Sequence, residues 1–282
     1  KENFKDILYV FVFGLATSFF LCIPYVFIRD IISLNPLSDP ITCFFLVAVP
    51  EEIIKIIPFL FVLKFRKYIN EPIDYLIYAS TTALGFAFYE NINYLLKYSD
   101  SGNIVAIRSL LPSVMHMVVS SIFSFGIFLY VQSKKIKYIF IGLFLSSFIH
   151  AVYNTSFVFS PIILLIILSY YSKMIQSLLN ISPFYEKSKE KFVGESTNFL
   201  FLIILSILIL SFLFDLFFNG FNSIINNFSS YLYLLVIPYF IYKILSSKLV
   251  LQKGRFLILG KRKNSKGIIK EAQEIIVNYY KN

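Results

Sequence analysis

Four short stretches carry the side chains able to do chemistry. Glu51, Glu52 and Lys55 lie in EEIIK, and Glu90 and Asn91 close GFAFYEN. His116 follows Arg108 by eight residues in RSLLPSVMH, and His150 and Asn154 bracket HAVYN. His116 and His150 are the only histidines of the 282-residue chain. Carboxylate and imidazole together are what proton transfer to and from a bound water requires, and the same groups ligate Zn²⁺. The spacing is helical. Glu51 and Lys55 are i, i+4 and Glu52 and Lys55 are i, i+3, so one lysine can neutralise either carboxylate on a shared face. His150 and Asn154 are again i, i+4.

The elements that must position these groups are membrane helices. Hydrophobic residues make up 57% of the chain and charged ones 15%, with a mean hydropathy of +0.74, whereas soluble domains carry about 25% charge. Apolar runs long enough to cross a bilayer, about 20 residues each, occur at 7–28, 41–63, 74–96, 105–131, 138–159, 161–180, 198–219 and 229–246. The expected fold is therefore an all-α, polytopic bundle of about eight spans. With both termini cytoplasmic, 22 of the 26 Lys and Arg residues fall inside, Arg29, Lys97 and Arg108 fall outside, and Lys55 is within a span. That asymmetry sets the orientation. The net charge of +10 then reports topology and attraction to anionic lipid, not nucleic-acid binding.

Inside this frame the polar residues are costly, since a charge at mid-span costs about 2.5–3.5 kcal/mol even on lenient insertion scales. At 1.5 Å per residue, Glu51 lies about 15 Å below the outer start of the second span, with His116 at a similar depth. His150 is roughly 18 Å from the cytoplasmic side, and Glu90 sits in the outer third of its span. One central-to-outer layer holds them all. The small-residue run ASTTALG before Glu90, ending at Gly85, allows close helix approach. Three functions fit such a layer: water-activating hydrolysis, a proton- or cation-coupled transporter, and a non-catalytic scaffold held by a polar network. Paired helix breaks, the mark of many transporters, are absent, because Pro50 and Pro58 interrupt one span only.

The chain divides at 181–197. Residues 1–180 form the core, with every motif inside 40–160. Residues 181–246 add a polar cytoplasmic connection and two spans of nearly pure Ile, Leu and Phe. There Asp215 is expected to snorkel at the outer end. Residues 247–282 are a basic cytoplasmic tail ending in GIIKEAQEIIVNYYKN, an expected interfacial amphipathic helix. The first apolar run is too long for a signal-peptide core and is expected to be retained; the initial Lys1 suggests that further residues precede it. Cys22 and Cys43 are expected as buried apolar thiols rather than a disulfide.

In this order on consecutive spans, EEIIK, GFAFYEN, Arg108 with His116, and HAVYN resemble the PrsW family of intramembrane proteases. They resemble, more distantly, the CAAX- and bacteriocin-processing protease superfamily. The likeness covers about residues 40–160. The wider superfamily generally has a histidine in the second motif, where this chain has Glu90. The resemblance implies that Glu51 is the general base on a water, with Glu52 adjacent, and that His116 and His150 move protons or bind a metal. It implies that Asn154 stabilises the oxyanion, with Lys55, Asn91 and Arg108 in support. It also implies a membrane-anchored protein substrate, such as an anti-sigma factor, cut at the extracytoplasmic side of a bacterial cytoplasmic membrane. No His-Glu-x-x-His, Gly-x-Ser-x-Gly or Gly-x-Gly-Asp is present. A zinc mechanism and a metal-free glutamic one both remain compatible with these residues.

The charge asymmetry makes one prediction directly. A reporter fused after residue 100 should read extracytoplasmic; a cytoplasmic signal there rejects the eight-span topology.

Overall fold

The computed structural model describes residues 3–31, 39–64, 69–97, 102–156, 160–182 and 220–226, with isolated positions between 184 and 219; at 21–31 and 102–110 it describes the backbone alone. Every regular element among them is helical. These are α1 (Phe4–Ile31), α2 (Pro40–Cys43), a π-helical turn (Phe44–Ala48), α3 (Val49–Lys64), α4 (Asp74–Lys97), α5 (Gly102–Ser133), α6 (Lys137–Thr155) and α7 (Ser160–Asn180), with a short helix at Phe221–Asn226. The all-α expectation holds among the described residues, and helices lie where the first six spans were expected. Leu111–Ser133, Lys137–Thr155 and Ile162–Asn180 are long and apolar enough to cross a membrane. The expected eighth span and the amphipathic tail lie outside the described residues, and the expected seventh falls only on isolated ones.

The second expected span is not one uniform helix. Asp39 begins it: its Oδ1 accepts from the Ile41 and Thr42 amides at 3.0 and 2.9 Å, and Oδ2 from the Thr42 hydroxyl at 2.7 Å. Pro40 fills the first helical position, where its missing N–H is no loss. Ten residues later Pro50 creates the opposite problem. Its ring crowds the carbonyl of Leu46 and it offers no N–H in return. The chain widens into the π turn at this point, with the Val49 amide reaching back to the Phe44 carbonyl. Glu51 and Glu52 follow directly on this distortion, in the first turn of α3.

α3 is the central element, in contact with α1, α4, α5 and α6. Its inner half joins the largest apolar core, where Ile56, Phe59 and Val62 pack with Leu76 and Tyr78 of α4, Phe128 of α5 and Leu178 of α7. A second core joins Met115, Val118 and Val119 of α5 to Leu164 and Leu168 of α7. Outward, α6 exposes Phe140, Phe144 and Phe148, and α7 exposes Ile162, Ile166 and Tyr170. This i, i+4 arrangement of large apolar side chains suits a lipid-facing surface.

Helix approach is set by small residues, because bilayer helices lack a hydrophobic drive toward one another and rely on close packing. Gly14 of α1 and Gly85 of α4 meet reciprocally. A Cβ on Gly14 would come 2.5 Å from the Thr82 carbonyl oxygen, and one on Gly85 would strike the Phe11 carbonyl oxygen. Gly126 and Gly142 make the corresponding contact between α5 and α6. Since both obstacles are backbone, Gly14→Ala and Gly85→Ala should each force α1 off α4. Overpacking of this kind costs about 1–3 kcal/mol, to be read as a lower thermal midpoint of the purified protein; unchanged midpoints would show that the contact is loose.

Candidate active site

Four helices each deliver one part of a single polar cluster. α3 supplies Glu51, Glu52 and Lys55, α4 Glu90, α5 His116, and α6 His150. Lys55 and Glu52 are buried to 1% and 0% exposure, so neither can rely on water and each must be satisfied by protein. Glu52 is. Its Oε1 accepts from Lys55 Nζ at 2.8 Å and from His150 Nδ1 at 3.0 Å, and its Oε2 accepts from the Ser120 hydroxyl at 2.9 Å. Lys55 Nζ also lies 2.8 Å from His116 Nδ1, 3.6 Å from Glu51 Oε2 and 4.4 Å from the centre of the Phe86 ring. His116 Nε2 is 2.8 Å from Glu90 Oε2.

The two adjacent glutamates thus have different environments. Glu52 is saturated and serves as a hub. Glu51 Oε2 is buried without a hydrogen bond, and so is His150 Nε2. These two atoms face each other at 3.6 Å. Side-chain exposure falls on the other pair of carboxylates in the cluster, 13% for Glu51 and 25% for Glu90, so the cluster opens toward Glu51 and Glu90. The imidazoles meet edge to face, with centroids 5.1 Å apart, and Phe86 packs on His116 at 5.4 Å.

The remaining expected residues are placed unevenly. Asn91 donates to the Ser113 hydroxyl at 3.2 Å, tying α4 to α5 one turn before His116. Asn154, on α6 one turn after His150, is exposed. Arg108 lies on α5, with its side chain outside the described residues. Cys43 is a free thiol; the side chain of Cys22 is likewise not among those described. Ser120 and Phe86 were not singled out from the sequence. Both were detectable by spacing: Ser120 is i+4 from His116, and Phe86 is i−4 from Glu90.

The family model of the PrsW family intramembrane metalloproteases matches residues 2–179, well over half of the chain. It belongs to the PrsW family. The chain is similar to the protein named Protease PrsW of Geobacillus kaustophilus (strain HTA426), with 31% identity over 156 residues, spanning 54% of this chain and 67% of that relative. No solved structure matches it. The protein is thus an intramembrane protease by family. The PrsW match ends at residue 179, within α7.

A PrsW-family metal centre can be tested against these side chains. Glu51, His116 and His150 each offer one ligand atom, all within 4.8 Å of one another. Ligands about 2.0–2.2 Å from a tetrahedral Zn²⁺ lie about 3.3–3.6 Å apart. The 3.6 Å separation of Glu51 Oε2 and His150 Nε2, neither hydrogen-bonded, fits that spacing. Glu52, on the far nitrogen of His150, is the kind of outer partner that orients a ligating imidazole.

The buried pair sets up a double-mutant test. Glu52→Ala strands Lys55 and should destabilise the protein by about 3–5 kcal/mol. Glu52→Ala/Lys55→Met should recover most of that loss, measured as thermal midpoints, whereas strictly additive losses would mean that the two side chains do not depend on each other.

Proposed function

We propose that this PrsW-family protease hydrolyses a peptide bond in a membrane-anchored protein by activating a water between Glu51 and His150. The observation that carries the proposal is the facing pair itself: two buried, basic atoms 3.6 Å apart with no hydrogen bond to satisfy either. A species with protons to give, or a cation, is what such a pair accommodates. Glu51 takes a proton as the water attacks the scissile carbonyl, and proton return to the leaving amine is the matching general-acid step. His150 presents Nε2 because its Nδ1 is held by Glu52. His116, backed by Glu90, faces the same space. Asn154, one turn beyond His150 and exposed, is placed to meet an arriving chain. Glu51, His150 and His116 would hold a Zn²⁺, which when bound supplies a Lewis acid that eases water deprotonation and polarises the carbonyl.

The substrate we propose is a single-span regulatory protein, of the anti-sigma factor type, cut on the extracytoplasmic side of a bacterial cytoplasmic membrane. Supporting this are the depth of the polar layer, the short outward connections of the sequence and the family resemblance. The basic tail would hold the inner face to anionic lipid.

Glu51→Gln, His116→Ala and His150→Ala should each abolish cleavage while leaving the protein folded. Residues that act as one unit are non-additive, so double variants should lose little more than the singles. Additive losses, or wild-type turnover in any single, would return the cluster to a structural role. Mapping cleavage sites in membrane proteins that accumulate full-length with Glu51→Gln tests the sidedness: scissile bonds on the cytoplasmic face would overturn the extracytoplasmic assignment.

A further inference from the structure

We propose that a chain of three hydroxyls, from Tyr171 of α7, Ser80 of α4 and Ser121 of α5, is a positioning device for the reaction. It fixes the rotation of α5 and thereby the places of His116 and Ser120 in the cluster. This rests on the proposed reaction, in which His116 faces the reacting space.

Ser80 and Ser121 are buried to 7% and 0% exposure, so their hydroxyls must be satisfied by protein. A buried helical Ser or Thr commonly bonds the carbonyl one turn back on its own helix, as Ser18, Thr81 and Ser177 do. Ser80 reaches across instead. Its Oγ lies 2.8 Å from Ser121 Oγ on α5 and 3.3 Å from the Tyr171 hydroxyl on α7. A hydroxyl has one hydrogen to give, and that sets the direction of the chain. Ser121 donates its own to the Met117 carbonyl at 2.7 Å, so it accepts from Ser80. Ser80 in turn accepts from Tyr171. The chain therefore runs from α7 through α4 and ends on the α5 carbonyl next to His116. Its starting point is firm, because the Tyr171 ring packs against both large apolar cores.

Ser120 and Ser121 are consecutive and point about 100° apart around α5. Ser120 binds Glu52 of α3 at 2.9 Å, while Ser121 meets Ser80 of α4. Two bonds to different helices pin a rotation that one bond would leave free. His116 lies five residues before Ser121, roughly 7.5 Å along the axis. A turn of about 10° moves a side-chain end that is roughly 5 Å from the axis by about 0.9 Å. A misplacement of about 1 Å can cost about a hundredfold in rate, whereas one hydrogen bond between membrane helices contributes little to stability. The effect of the chain thus falls on geometry more than on folding.

The three methionines of the chain report on that geometry without a substrate. Met115 and Met117 flank His116 on α5, and Met174 lies on α7. In the full chain labelled with ¹³C-methyl methionine, Ser80→Ala should shift the Met115 and Met117 methyl resonances and leave Met174 in place. On a membrane-anchored protein cut by the wild-type chain, Ser80→Ala and Ser121→Ala should each lower kcat about ten- to a hundredfold. KM should stay close to wild type, the pattern of a loss confined to the transition state. Tyr171→Phe keeps the ring in both cores and should lower kcat in the same sense. Thermal midpoints should fall by only about 1–3 °C. Unmoved Met115 and Met117 resonances, or a wild-type kcat in Ser80→Ala, would reduce the chain to structural glue and overturn the inference. Glu51→Gln judges the reaction separately. If it inactivates while Ser80→Ala turns over normally, the positioning role falls and the reaction stands; if it retains turnover, the reaction falls and the positioning role with it.

Discussion

A carboxylate and an ammonium one helical turn apart, both sealed from water, govern the architecture of this protease. Glu52 and Lys55 are 2.8 Å apart with side-chain exposures of 0%. In a low-dielectric interior such a pair survives only if its remaining hydrogen-bonding capacity is also met. Meeting it draws in the other helices. Ser120 and His116 come from α5, His150 from α6 and the Phe86 ring from α4. The four-helix convergence that builds the polar cluster is thus also the condition under which the pair can be buried at all.

The backbone cooperates with that constraint. Two prolines would normally be a liability inside a membrane helix, because each removes a ladder hydrogen bond. Pro50 lies next to a π turn instead, a form of helix distortion frequent at functional sites. Glycine contacts bring α1 onto α4 and α5 onto α6, while Ser120 reaches from α5 to Glu52 of α3. Stability and function share the same few ångströms here.

The family match ends at residue 179, and the polar cluster lies before that point. α7 reaches none of the reacting groups through the bonds described above. It packs on α5 in both large apolar cores, bracing the helix that carries His116 and Ser120.

Much of this was legible in the sequence, and for a definite reason. In an apolar run every ionisable residue carries a cost, so Glu51, Glu52, Lys55, Glu90, His116 and His150 stand out without any structure. The 3.6-residue period and the rise per residue were enough to put them on helices at one depth. Spacing also showed that Lys55 could neutralise either glutamate. It did not show which, because both lie within reach along the same helix. Only the rotation of α3 against α5 and α6 decided that Glu52 turns inward to Ser120 and His150, leaving Glu51 unbonded at the open side. The same packing leaves Asn154 exposed while His150 is buried, although i, i+4 spacing puts both on one face of α6. What one helix carries is a local property and can be read along the chain. What its side chains bind depends on how neighbouring helices are turned and how closely they approach, and that is a property of the tertiary packing alone.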